Sequence, residues 1–327
     1  MSVERLDPSD DDAFTAFVDA YQRANHRPID QPWSGIELRE KFTGDEYVRH
    51  PAVVARDAAG AVVGGGWIGL PQRDNVSTAV AEVAIAPEHR RQGYGSAVLD
   101  VLLDIARADG RGTVVVETLR PTSDPTGPGR EFALARGFFP DTTVAQRELA
   151  LPVEVAPAQP RDGYRLATWR GAPPPEWLDQ YARLRRLMNS EAPAGEVRFE
   201  EEYWDAERLG HEAESWAKQG RIAQVVVAIA PDGELAGHTQ LVFPSGQGDE
   251  VFQWDTLVLP AHRGHGLGLA VKQQAMVESA DLLVGRRRIV TWNDATNAPM
   301  IAVNEALGYR QTAWADQFAL RLTPGIG

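Results

Sequence analysis

Cysteine is absent from the 327 residues, which excludes disulfides, thiolate metal sites and cysteine nucleophiles. No stretch reaches the roughly 18 uninterrupted apolar residues that a membrane helix needs. The acidic first dozen residues lack the apolar centre of a signal peptide. Basic residues are in deficit, 33 Lys+Arg against 46 Asp+Glu, for a formal net charge of −13. Such a field disfavours nucleic acid and anionic membrane surfaces and suits a cationic small substrate, although acidity also serves plain solubility. With 43% hydrophobic and 24% charged residues, the composition excludes a disordered chain, a collagen-like repeat and a coiled coil. At roughly 150 residues per domain the length predicts two domains. A cytoplasmic protein is expected.

The chain contains an internal repeat. At an offset of 173 residues, Gly60 pairs with Gly233, Gly64 with Gly237 and Pro71 with Pro244. Val53-Val-Ala55 faces Val226-Val-Ala228, and the densest run pairs Pro87, His89, Arg90, Gly93, Gly95, Ala97 and Val98 with Pro260, His262, Arg263, Gly266, Gly268, Ala270 and Val271. Chance hardly supplies so many matches at one offset. The proline-rich segment 151–160 reads as a stiff linker between domains at 1–150 and 161–327.

Each half predicts the same elements. A hairpin is expected at Ala52–Arg56 and Ala61–Leu70, and again at Gln224–Ala230 and Glu234–Phe243, with Gly-containing turns between the strands. A third strand follows at Thr78–Ile85 or Val251–Leu259, then a glycine-rich segment and a helix whose apolar residues (Val98, Leu102, Ile105) recur at helical spacing. The next strand is Thr113–Thr118 or Arg288–Trp292, and a short helix ends at Gly137 or Gly308. Val144–Leu149 and Phe318–Leu322 are each expected to close their own half, and amphipathic helices precede the hairpins at Phe14–Tyr21 and Trp177–Leu187. The fold class is α+β, a mixed central sheet flanked by helices, built twice.

The loops Arg90-Arg91-Gln92-Gly93-Tyr94-Gly95-Ser96 and Arg263-Gly264-His265-Gly266-Leu267-Gly268-Leu269 lie between a strand and a helix. Glycine lets the backbone turn tightly, and free amides at a helix N-terminus bind phosphate. The leading arginines add permanent positive charge. Neither loop carries GxxxxGK[ST], and neither has the GxGxxG spacing of a dinucleotide fingerprint. This argues against a nucleotide-dependent oxidoreductase.

The pattern Arg-x-x-Gly-x-Gly, present at Arg90-x-x-Gly93-x-Gly95 and Arg263-x-x-Gly266-x-Gly268, resembles the GNAT superfamily of acyl-CoA-dependent N-acyltransferases. The segment from Asn297 through Asn304 to Gly308-Tyr309 is similar to the closing segment of that family, and Gly137-Phe138 keeps only its end. The resemblance covers nearly the whole chain as two tandem domains. It implies acetyl-CoA as acyl donor and no metal. The coenzyme A pyrophosphate would rest on loop amides near Gln92–Ala97 and His265–Ala270, with Asn297 at the start of the last helix. The pantetheine arm would pair with strand backbone near Val83–Ile85 and Thr256–Val258, Leu257 included. The acceptor would be a primary amine of a small molecule or peptide, attacking directly. Fusing two domains fits a monomer or a homodimer.

A mostly protonated amine needs a base before it attacks. Glu82 and Asp255 occupy the same register, each five residues before the proline of its loop, and are the candidates. The tyrosine that many members carry four residues before the closing glycine is replaced here by Ala133 and Asn304. Asparagine can hydrogen-bond the departing thiolate but cannot protonate it. The second half keeps more of the pattern and is favoured as the catalytic half. The missing tyrosine keeps open a non-catalytic acyl-CoA-binding regulator or scaffold. His89, His262 and His265 do not form a metal-ligand set. Trp204 and Trp216 could line an acceptor pocket or simply pack in the core. Glu200-Glu-Glu202 reads as a solvated helix face, Asp10-Asp-Asp12 as a helix start, and Arg286-Arg-Arg288 as an exposed turn.

Overall fold

The computed structural model describes residues 1–191, 195–245 and 248–322. They fall into two compact units: residues 1–143 with 195–200 and 314–322, and residues 144–191 with 201–313.

The first unit contains β1 (Ser2–Arg5), α1 (Asp11–Ala24), α2 (Gly35–Thr43), β2 (Val48–Arg49), β3 (Ala52–Arg56), β4 (Val62–Pro71), β5 (Thr78–Ile85), α3 (Tyr94–Ala108), β6 (Thr113–Pro121) and α4 (Pro128–Ala135). Strand β7 (Phe139–Ala150) carries the chain out of it. The second unit contains β8 (Arg165–Arg170), α5 (Leu178–Glu191), α6 (Ala206–Lys218), β9 (Ile222–Ile229), β10 (Leu235–Phe243), β11 (Glu250–Val258), α7 (Leu267–Glu278), α8 (Ala280–Leu283), β12 (Arg288–Asp294) and α9 (Ala298–Ala306). Strand β13 (Arg310–Arg321) carries the chain back.

The sheets follow one plan. In the first unit the order is β1-β3-β4-β5-β6-β13, and in the second β8-β9-β10-β11-β12-β7. Neighbours β3–β4–β5 and β9–β10–β11 run antiparallel, whereas β5–β6 and β11–β12 are parallel. Helix α3 buries Val98, Leu99, Leu102, Leu103 and Ala106. Its counterpart α7 buries Val271, Lys272, Ala275 and Met276 at the same turns. This apolar stripe fixes each glycine-rich loop against its sheet.

Two expectations are corrected. Val144–Leu149 does not close the first half: these residues pair antiparallel with β12, Leu149 opposite Ile289. Phe318 and Leu322, expected in the second half, belong to the first unit's core beside Val98 and Val114. The Leu322 amide donates to Gly112 O at 2.9 Å. Alternating apolar residues specify a strand and its buried face, but not which parallel edge it completes. Glu200-Glu-Glu202 also departs from the helix expected there. It is irregular backbone, with the Asn75 amide donating to Glu200 Oε2 at 2.9 Å.

Candidate active site

Both loops form the turn their glycines call for. Gly93 and Gly266 stand immediately before α3 and α7 with left-handed φ of 90° and 73°. A Cβ at either position would meet no atom within 4 Å, so backbone conformation and open space explain the glycine, not packing. Among the described residues, no acceptor is found for the amides of residues 91–96 or 264–269. These successive donors at a helix N-terminus suit an anion such as a pyrophosphate. Gln92, Gly93, Tyr94, Gly95 and Ser96 thus offer amides in the first unit, as do Gly264, His265, Gly266, Leu267, Gly268 and Leu269 in the second.

Some expected contributions change. The Ala97 and Ala270 amides donate to Gly93 O and Gly266 O at 3.0 and 3.1 Å, so both cradles end one residue earlier. Arg90 donates through Nε to Ile85 O and through Nη2 to Ala24 O, both at 2.9 Å. Arg263 Nε makes the matching bond to Val258 O at 3.2 Å. The leading arginines therefore tie the loop to the end of its strand. Arg91 takes the left-handed φ of 61° where the other half has Gly264 at 86°.

Each parallel strand pair splays beside its loop. Pairing of β5 with β6 ends at Ala81 opposite Val116, leaving Glu82, Val83 and Ile85 beyond the last pair. Pairing of β11 with β12 ends at Phe252 opposite Val290, leaving Asp255, Leu257 and Val258 beyond it. The second splay has a feature the first lacks. Thr239 pairs with Thr256 but Leu241 with Gln253, so Trp254 and Asp255 together oppose Gln240. This β-bulge re-aims the side chains at the position of the candidate base. The first unit pairs without a break from Gly64–Ile85 to Gly69–Val80, Trp67 opposite Glu82.

The two candidate bases have different surroundings. Burial pushes the Glu82 carboxyl up to about 7, and the Glu117 charge adds to that, against the Lys41 charge and a hydrogen bond from Tyr21. Glu117 is itself held up by burial and by Asp316. Asp255 Oδ2 lies 3.2 Å from Arg185 Nε. The guanidinium of Arg185 also forks onto Glu212, with Nη1–Oε2 at 2.7 Å and Nη2–Oε1 at 2.9 Å. It sits 3.9 Å from the Trp204 ring centroid.

Asn304, read from the sequence as a hydrogen-bond partner of the leaving thiolate, has both side-chain atoms engaged within the protein. It is fully buried; its Oδ1 accepts from Lys272 Nζ at 2.7 Å and its Nδ2 donates to Asn293 Oδ1 at 3.2 Å. The position four residues before the closing glycine points inward, and Lys272 claims the amide there. Asn297 caps α9, its Oδ1 accepting from the Met300 amide at 3.2 Å. Trp204 is core, 7% exposed, while Trp216 is half-buried against Trp254.

Sequence reading missed Arg185, Glu212, His238 and Lys272. Two of them leave a signal at the repeat offset: Lys272 stands where the first half has Leu99, and His238 where it has Gly65.

Comparison with known proteins agrees with this architecture. The sequence profile described as "Acetyltransferase (GNAT) family" matches residues 13–127 and 181–309. The chain belongs to that family, as two tandem GNAT domains, and is a GNAT-type acetyltransferase. A mycothiol acetyltransferase of Geodermatophilus obscurus is 29% identical over 323 residues, covering 95% of this chain and 94% of the relative. One of Catenulispora acidiphila is 28% identical over 249 residues, covering 70% and 68%. Among solved structures, a tandem GNAT protein from the clavulanic acid biosynthesis pathway superposes with a TM-score of 0.81 at 24% identity, covering 99% of each chain. A GCN5-related N-acetyltransferase from Sphaerobacter thermophilus gives 0.69 at 15% identity, covering 99% and 96%. At these identities the two structures show the fold alone. No helix among the described residues is long and apolar enough to cross a membrane.

Proposed function

We propose that the second unit transfers an acetyl group from acetyl-CoA to the primary amine of a small molecule, with Asp255 as the base. The observation that carries this reading is the bulge at Trp254–Asp255, set in a splayed strand pair next to the open amides of 264–269. Those amides fit a pyrophosphate, and the strand edge beyond Phe252 fits an extended arm. Acetyl-CoA supplies an activated thioester carbonyl. Asp255 takes the proton from the attacking amine, directly or through water. Arg185 and the bulge hold its carboxylate in place. Asn304, buried and engaged, carries no acidic proton for the leaving sulfur, which departs as thiolate. The shared name of the relatives, mycothiol acetyltransferase, supports a small-molecule acceptor. That donor also fits a cytoplasmic setting.

A specific observation favours a second reading, in which the first unit is the catalytic one. The Glu82 carboxyl, pushed up to about 7 by burial, is poised for proton transfer near neutral pH.

The deciding experiment is thiol release from acetyl-CoA with an amine library, run on wild type, Asp255→Asn and Glu82→Gln. Loss of about 10²–10⁴-fold in Asp255→Asn, with unchanged acetyl-CoA affinity, is expected. A wild-type rate in Asp255→Asn with the defect in Glu82→Gln moves catalysis to the first unit.

A further inference from the structure

Helix α6 places two side chains over the bulge. Glu212 and Trp216 are four residues apart and share one face of the helix. Glu212 reaches Asp255 through the guanidinium of Arg185. Trp216 meets Trp254 edge-on, ring centroids 5.5 Å apart. From Trp254 the aromatic surface continues to Phe252, stacked at 6.1 Å, and on to Trp292 at 6.0 Å. Trp216, Trp254, Phe252 and Trp292 are all half-buried, so this row keeps an open face.

The charges beside that row are unequally exposed. Asp255 and Glu212 share the guanidinium of Arg185, and Arg221 adds a cation 5.2 Å from the Trp254 centroid. Arg185 and Arg221 are 8% and 7% exposed, whereas the Glu212 and Asp255 side chains are 21% and 30% exposed, so what faces solvent is anionic. Near them stands a buried histidine. His238 is fully buried against Tyr181, ring centroids 5.4 Å apart, and neither ring nitrogen has a partner. Burial holds its ring neutral, down to about 4, against the Asp255 charge. Buried orphan nitrogens mark a place that a water or ligand group completes. In the first unit Gly65 stands in place of His238, and a Cβ there would come within 2.2 Å of Val53 O and 2.9 Å of the Phe17 ring.

We propose that this cluster is the acceptor site of the second unit. It takes an amine that arrives as a cation, without a carboxylate or phosphate next to the amine, and that lays a ring or apolar face on Trp254 and Trp216. The inference rests on the acetyltransferase reading and deepens it. Arg185 is a positioning residue: it holds Asp255 and Glu212 together and prevents their mutual repulsion. The solvent-facing carboxylates draw the ammonium to Asp255; one proton passes to solvent before attack, and Asp255 receives the second as the neutral amine attacks. The aromatic row adds area and a cation–π attraction. An anionic substituent beside the amine would face two carboxylates and be rejected.

The test reads binding, so it does not depend on knowing the acceptor. Tryptophan indole resonances of protein saturated with coenzyme A, assigned by Trp216→Phe and Trp254→Phe, are followed while matched probes are added. The pairs are tryptamine with tryptophan, 2-phenylethylamine with phenylalanine, and glucosamine with glucosamine 6-phosphate. The member of at least one pair that lacks the carboxylate or phosphate should shift the Trp254 and Trp216 signals at a concentration about tenfold or more below the member that carries it. Glu212→Gln should shrink that ratio several-fold while coenzyme A affinity stays put. Equal concentrations within every pair, or no shift with any probe, overturns the proposal. So does a folded Glu212→Gln with an unchanged ratio. Should Glu212→Gln fail to fold, Arg221→Gln, which removes the cation 5.2 Å from the Trp254 centroid, should widen the ratio, and an unchanged ratio again overturns it. Loss of the charge preference leaves the acetyltransferase reading standing. Absence of any thiol release in the amine library, with these shifts intact, removes that reading and leaves a cation-binding site.

Discussion

Lys272 Nζ donates to Asn304 Oδ1 across 2.7 Å, and both side chains are buried, at 1% and 0% exposure. In the first unit the corresponding positions are Leu99 and Ala133, equally buried and wholly apolar. One half of the repeat thus keeps a polar pair where the other keeps hydrocarbon. Desolvation lowers the Lys272 ammonium to about 7, and the amide of Asn304 and the Tyr309 ring, 5.5 Å from Nζ, offset its isolation.

Removing one partner leaves the other stranded. Asn304→Ala should destabilise the protein by about 3 kcal/mol. Adding Lys272→Leu should recover most or all of that loss, because two apolar residues replace a broken pair. The pH dependence has a definite sign. The amine binds its proton more weakly folded than unfolded, so wild-type stability should rise with pH between about 7 and about 10. The double variant should lack that rise. Urea denaturation at pH 7, 8 and 9 checks both statements.

Glu82 has the opposite sign. Its folded carboxyl is raised to about 7 from an unfolded value near 4.3. The folded protein therefore holds that proton more tightly, and the associated stability is present below about pH 4 and lost as pH rises through 7. Glu82→Gln should be more stable than wild type by about 3 kcal/mol at pH 8, with the difference vanishing near pH 4. Thermal melts across that range measure it.

Gly268 tests the second cradle. A Cβ there would make only ordinary contacts, with Val303 Cγ2 at 3.7 Å and Val258 Cγ2 at 3.8 Å, so a small side chain fits the folded protein. Gly268→Val should weaken acetyl-CoA binding at least tenfold by calorimetry, through bulk beside the amides, while the melting temperature changes little. Gly266 is a poorer choice, because its left-handed φ of 73° strains any β-branched residue.

Much of the architecture was legible in the residues. The 173-residue offset carried the duplication, and it holds in three dimensions down to single bonds. Arg90 to Ile85 and Arg263 to Val258 are the same clamp. The glycine spacing fixed the strand–turn–helix units because left-handed backbone and open amides admit few other residues. Apolar spacing located α3 and α7 because burial follows helical period.

Partners and environments came only from the tertiary structure. Strand β7 gives residues 144–150 to the second unit, and β13 gives residues 314–321 to the first, since either parallel edge offers the same backbone groups and an alternating strand fits both. The bulge at Trp254–Asp255 is one residue of register, and register is settled by pairing across strands rather than along the chain. Glu82 and Asp255 stand at one position of the repeat, yet one carboxyl is buried beside Tyr21 and the other meets Arg185. A side chain's charge chemistry is set by what packs around it, and those neighbours come from α1 in one unit and from α5 and α6 in the other.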